Sequence, residues 1–110
     1  MADFQQHLGE LEALGARIVF LSSDTEPDAT ATVERLGLRF PVAYGLDPEA
    51  VSRLIGCYTG RREGRPHLQP AAFVLARDGA IVHAMYSSNK VGRLTAADTL
   101  TLLRDGLAKV

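Results

Sequence analysis

Cysteine is almost missing from this chain: Cys57 is the single one among 110 residues. One thiol excludes a disulfide framework within one copy, and a cysteine-based zinc site as well. Tryptophan is absent, and aromatic residues make up only 6% of the chain. An excess of one charge is absent too, since 12 Lys and Arg meet 13 Asp and Glu for a formal net charge of -1. A near-neutral chain has no field to gather DNA, RNA or an anionic membrane, so neither nucleic acid nor membrane is an expected partner. No apolar run approaches the roughly 20 residues of a membrane-spanning helix. The opening Met1-Ala2-Asp3-Phe4-Gln5-Gln6-His7 has neither the basic start nor the apolar stretch of a signal peptide. The expectation is a soluble, cytoplasmic domain. Internal repeats, low-complexity tracts, phosphate loops and dinucleotide fingerprints are also absent.

What is present is an apolar fraction of 46%, spread evenly, with 23% charged residues. That fits one compact domain spanning residues 1–110. Phe4, Leu8, Leu11 and Leu14 recur at helical spacing and predict a first helix, with Asp3 as N-cap and Gly15 as stop. Ala16 to Ser22 is short, apolar and β-branched, as a buried parallel strand would be. The turn Ser23 to Pro27 leads into a helix with Ala29, Val33 and Leu36 on one face, ending at Gly37. Phe40 to Ala43 predicts a short strand that Pro41 confines to an edge or a strand end. Asp47-Pro48 predicts an N-cap with proline in the first helical turn, and Val51, Leu54 and Ile55 form that helix's apolar face before Gly56. Thr59 to Gln69, rich in Gly, Arg and Pro, predicts a loop. Ala71 to Ala76 and Ala80 to Tyr86 predict a hairpin through Arg77-Asp78-Gly79. Thr95, with Asp98 three residues on, starts a last helix whose buried face is Leu100, Leu103 and Leu107. This order of elements predicts a layered α/β fold with a mixed sheet.

From Gly15 onward the chain resembles the thioredoxin-like superfamily and, within it, the peroxiredoxin-like AhpC/TSA group. The match is carried by Ile18-Val19-Phe20-Leu21 running into Ser22-Ser23-Asp24-Thr25, and by Leu38-Arg39-Phe40-Pro41-Val42. It is carried further by Gln69-Pro70 before the Ala71 strand with Arg77-Asp78-Gly79, and by Tyr86-Ser87-Ser88 before Val91-Gly92-Arg93-Leu94. The resemblance implies a three-layer α/β/α fold, a cis peptide at Gln69-Pro70, and thiol redox or antioxidant ancestry. It also implies an N-terminal truncation, because members of the group begin with a strand, a loop bearing the peroxide-attacking cysteine, and a helix starting there. Residues Asp3 to Leu14 would be the second half of that helix. The chain has neither a Cys-x-x-Cys nor a Thr-x-x-Cys pattern, so the nucleophile has no counterpart. The absent strand would lie centrally, between Ala16–Ser22 and Ala71–Ala76. Unmade buried hydrogen bonds cost roughly 1–3 kcal/mol each. The two flanking strands are therefore expected to close up on each other, or to be covered by a second chain, most simply in a symmetric homodimer or homo-oligomer.

Cys57 is then the only candidate catalytic thiol. It reads either as a small buried hydrophobe or as a reactive thiolate favoured by Arg61, Arg62 and Arg65 nearby in sequence. The arginine cluster itself reads as a solvated loop or as an anion or partner contact. Pro70 and Arg93 mark the candidate substrate or partner region; Arg93 reads equally as a plain surface residue. His7, His67 and His83 are scattered, and no metal or cofactor is expected. His83 alternates with Ile81 and Met85 on one strand face and reads as structural. Asp24, Asp47 and Asp78 sit where aspartate serves turns and caps. Three functional readings stand: a peroxidase-like thiol oxidoreductase served by a thiol reductant, a non-catalytic binding or self-association module, and the C-terminal remnant of a longer thiol peroxidase.

Overall fold

A computed structural model describes residues 1–106. The N-terminal helix is broken into α1 (Ala2–Gln6) and α2 (Leu8–Ala13). The break is at His7, whose ring Nδ1 meets the Asp3 carbonyl at 2.9 Å while its own N–H turns to Gln5. Asp3 is not the N-cap of this helix; Met1 holds that position. The Asp3 carboxylate instead accepts from the Ala96 N–H at 2.8 Å, at the start of a helix far along the chain.

The strand expected over Ala16 to Ser22 shrinks to β1 (Phe20–Leu21). It runs parallel to β2 (Val42–Ala43), with Phe20 N–H on Pro41 O and Ser22 N–H on Ala43 O. Between them α3 (Glu26–Leu36) forms as expected: Thr25 Oγ1 accepts from Asp28 N–H, and Gly37 ends it in a left-handed conformation at φ 62°. Next, α4 (Pro48–Ile55) is capped by the Asp47 carboxylate on Glu49 N–H and closed by Gly56.

The predicted loop Thr59 to Gln69 is in fact a hairpin, β3 (Thr59–Arg62) against β4 (Arg65–Leu68). Its connection is Glu63-Gly64, with φ of 54° and 76°, the backbone of a type I′ turn. The second hairpin is the expected one: β5 (Ala71–Leu75) pairs antiparallel with β6 (Ile81–Tyr86). A register shift between Val74 and Leu75 breaks its alternation. His83 and Met85 are therefore half-buried while Ile81, expected on the same face, is 62% exposed. The last helix, α5 (Ala96–Thr101), is capped by Thr95 on Asp98 N–H and continues as a π-helical turn over Leu102–Gly106. Leu100 is buried and Leu103 half-buried; Leu107 lies outside the described residues.

These strands form three separate two-stranded ladders, not one mixed sheet. Neither did the β1 and β5 regions close up on each other, because each hydrogen-bonds only its own neighbour. The main core lies on one side of β1 and β2. Leu8, Leu38 and Phe40 are buried there, packed by Phe4, Phe20, Val33 and others. Phe20 stacks edge-on to Phe4 at 5.8 Å and tilted to Phe40 at 4.9 Å between ring centres. Such aromatic pairs add about 0.5–1.5 kcal/mol each beyond area burial.

Candidate functional site

Hydrogen bonds of their neighbours place Cys57 and Pro70 near the Ala71–Tyr86 end of the β5–β6 hairpin, whereas Arg93 lies on a separate loop that touches that end through Gly92 and Ser87. Gly56 ends α4 and turns the chain into Cys57. Just before that turn the Ile55 carbonyl accepts from Tyr86 Oη at 2.8 Å. Just after it the Tyr58 carbonyl accepts from Gln69 N–H at 2.9 Å. The Cys57 carbonyl itself takes the Ser52 hydroxyl at 2.6 Å. The segment bearing the thiol is thus pinned on both sides, and the side chain is buried, with 3% of its surface exposed.

Pro70 follows Gln69 directly, and its carbonyl accepts from Ser87 N–H at 2.9 Å. Its peptide bond is trans, as is every peptide bond among the described residues, so the expected cis-proline is corrected. The trans form is the intrinsic preference of an X–Pro bond by about 0.5–1 kcal/mol. Ser87 is buried, and its hydroxyl donates to Asn89 O at 2.7 Å while accepting from Asn89 N–H at 3.3 Å. Gly92 lies directly over it: a Cβ there would sit 2.6 Å from Ser87 Oγ and 2.8 Å from Ser87 Cβ. Arg93 follows, exposed, with Nη1 donating to the Lys90 and Gly92 carbonyls at 2.7 and 2.8 Å. Its guanidinium is folded onto its own loop. Burial, with the Arg93 charge added, pushes the Met1 amine below its usual pKa.

The arginines that follow Cys57 in sequence do not reach its sulfur. Arg61, Arg62 and Arg65 are exposed on the β3–β4 hairpin, and Arg61 Nη1 donates to Gly64 O at 3.0 Å. No hydrogen bond joins an arginine to Cys57 among the described residues. A thiolate needs such a cation, a helix N-terminus or a metal beside it. Cys57 instead follows the C-terminal end of α4. The Cys57 side chain is packed in the interior of the fold.

Two features escaped the sequence reading. His67 and Gln69 pack their side chains over Gly60, where a Cβ would strike the Gln69 amide and come within 3.1 Å of His67 Cε1. Buried His67 Nδ1 and Gln69 Oε1 have no partner there. The pattern Gly60–His67 is a cross-strand pair, visible only once the Glu63-Gly64 turn fixes the register. The second is the alternation of exposed Val19 and Leu21 with half-buried Ile18 and Phe20, since the segment reads as apolar throughout. His7 and His83 lie far from one another in the element order. Among the described residues no three His, Cys, Asp or Glu side chains gather as metal ligands. No helix of the described residues is long and apolar enough to cross a membrane.

A family model described as the AhpC/TSA family matches residues 1–84 of the 110. No curated protein matches the chain. The matched stretch takes in β1, β2, Cys57, Pro70 and most of the β5–β6 hairpin, and the chain belongs to the AhpC/TSA family.

Proposed function

We propose that this AhpC/TSA family member is a thioredoxin-like module of thiol redox ancestry that acts by binding another polypeptide chain, not by reducing peroxide itself. The observation that carries the proposal is the state of its single thiol: Cys57 is 3% exposed, its carbonyl is held by Ser52, and among the described residues no hydrogen bond joins a cationic side chain to its sulfur. Peroxide reduction by a thiol needs an accessible thiolate, since the thiolate is the nucleophile and its oxidation begins with attack on the peroxide oxygen. A binding role is supported by the free edges of β1 and β5, which offer unpaired backbone groups of the kind that recruit a further strand. The reducing cytoplasm fits a chain whose only cysteine is free. A three-layer α/β/α fold and a homo-oligomeric state belong to the same proposal.

The test is peroxide consumption with dithiothreitol as the thiol reductant. Wild type and Cys57→Ser are expected to consume peroxide at the same background rate. A wild-type rate well above background that disappears in Cys57→Ser would establish the chain as a peroxidase. That second reading draws on the hydrogen bonds that hold Cys57 at the Pro70 end of the β5–β6 hairpin. In it an external thiol reductant would serve Cys57, with Pro70 and Arg93 framing the approach.

A further inference from the structure

We infer that one face of the β3–β4 hairpin is a docking surface for an acidic, extended segment of another polypeptide. The inference rests on the binding role proposed above and adds a surface and a partner chemistry to it. Charge is spread unevenly along this chain. Between Val51 and Ala76 the basic residues are Arg53, Arg61, Arg62 and Arg65, and the acidic residue is Glu63 alone. A stretch of positive surplus thus sits in a chain whose net charge is -1.

Register sorts these arginines by face. Arg62 lies opposite Arg65, Gly60 opposite His67, and Arg61 opposite Pro66. Side chains alternate along each strand, so Arg62, Arg65, Gly60 and His67 share one face and Arg61 takes the other. The Gln69 N–H on the Tyr58 carbonyl extends the ladder by one pair, which puts Tyr58 and Gln69 on the face of Arg62 as well. At the tip of that face Arg62 and Arg65 are both exposed, and neither forms an ion pair among the described residues. Like charges directly opposite one another repel. Further down, Gly60 contributes no side chain, and the buried atoms His67 Nδ1 and Gln69 Oε1 have no hydrogen-bond partner. Tyr58 closes the base of the face and is 54% exposed. Two separate shortfalls, uncompensated positive charge and unmet polar atoms, therefore fall on one surface. A carboxylate seated between Arg62 and Arg65 answers the first, because arginine takes a carboxylate through two parallel N–H···O bonds. The backbone of an extended partner answers the second, since its N–H groups suit the Gln69 carbonyl.

The hairpin edge and the charge of the whole chain decide the form of the partner. Arg62 and Arg65 flank the two-residue turn and form its hydrogen-bonded pair, so the Pro66 nitrogen, one residue on, points outward. Lacking an N–H, Pro66 spoils the β4 edge as a template for a further strand. The partner therefore lies across the face and is held by side chains. A nucleic acid fits poorly, because its unbroken run of phosphates would continue past the arginines onto a chain with no positive surplus overall. Carboxylates spaced along a peptide place negative charge only where the arginines are.

The experiment is the fluorescence anisotropy of a fluorescein-labelled peptide of alternating Glu and Ser, titrated with the full chain. Wild type is expected to bind it, and less tightly as salt is raised. Arg62→Glu is expected to weaken binding about tenfold or more. The same substitution should relieve the Arg62–Arg65 repulsion, so its far-ultraviolet circular dichroism is expected to match wild type. Should that variant misfold, Arg65→Gln takes its place, with binding weakened about threefold or more. Arg35→Glu, a charge reversal on the exposed surface of α3, is expected to leave binding unchanged. Equal binding of a Lys and Ser peptide, or tighter binding of oligothymidylate, would overturn the partner chemistry. Absence of binding, or binding that survives the loss of Arg62, would overturn the surface. A chain inert to peroxide that ignores the acidic peptide sinks this surface alone. Cys57-dependent peroxide consumption by a chain that still binds the peptide through Arg62 sinks the non-catalytic reading alone.

Discussion

Gly92 has no room for a side chain, and the reason is Ser87. A Cβ at Gly92 would meet Ser87 Oγ at 2.6 Å and Ser87 Cβ at 2.8 Å. Gly92→Ala is therefore expected to destabilise the fold by about 1–3 kcal/mol, the usual range for overpacking. The pair is in contact, so the effects should not add. Gly92→Ala combined with Ser87→Gly is expected to recover part of the loss, read from urea midpoints in a double-mutant cycle. At this scale the readable residues were those whose partners are local. Asp47 and Thr95 each cap an N–H two or three positions on, and each was legible as a helix start, whereas Thr25, the cap of α3, was legible only as part of the turn before its helix. Asp3 was misread because its partner, Ala96, lies at the other end of the chain. Cys57 could be read as a buried hydrophobe or as a reactive thiol because burial is a property of packing, and no local pattern encodes it.

Among elements, the two hairpins show what turn chemistry reveals. The β5–β6 hairpin was legible through Asp78-Gly79, where Asp78 Oδ1 accepts from Ala80 N–H at 2.9 Å. The β3–β4 hairpin was hidden because Glu63 occupies a left-handed position that ordinarily selects Asn, Asp or Gly. A left-handed backbone costs an ordinary L-residue roughly 1–2 kcal/mol. Glu63→Asn is therefore expected to raise stability by about 0.5–1 kcal/mol, since Asn visits this region more readily. Arg62 and Arg65, which flank that turn, are directly paired across the strands. Like charges so placed repel, and Arg62→Glu is expected to stabilise the hairpin by about 0.2–1 kcal/mol, with the gain shrinking as salt is added. The helix counterpart is Thr95→Ala, expected to cost about 1 kcal/mol through the lost cap on α5. Thermal or urea unfolding reads all three.

For the whole molecule, the pattern of local elements was largely legible, whereas their assembly was not. Strand sequences specify which face is apolar. They do not specify whether a neighbour exists to pair with. Ala16 to Ser22 has the composition of a central strand, yet only Phe20–Leu21 is paired, because β2 alone meets it. The chain nevertheless keeps a core tight enough to exclude solvent from its one thiol. That exclusion is the observation on which the proposed lack of peroxide chemistry rests. The most direct measurement is the labelling rate of Cys57 by an aromatic disulfide reagent as urea is raised. With Cys57 buried, labelling in native buffer should be slow and should accelerate only along the global unfolding transition. Fast labelling in native buffer, at a rate indifferent to urea, would contradict it.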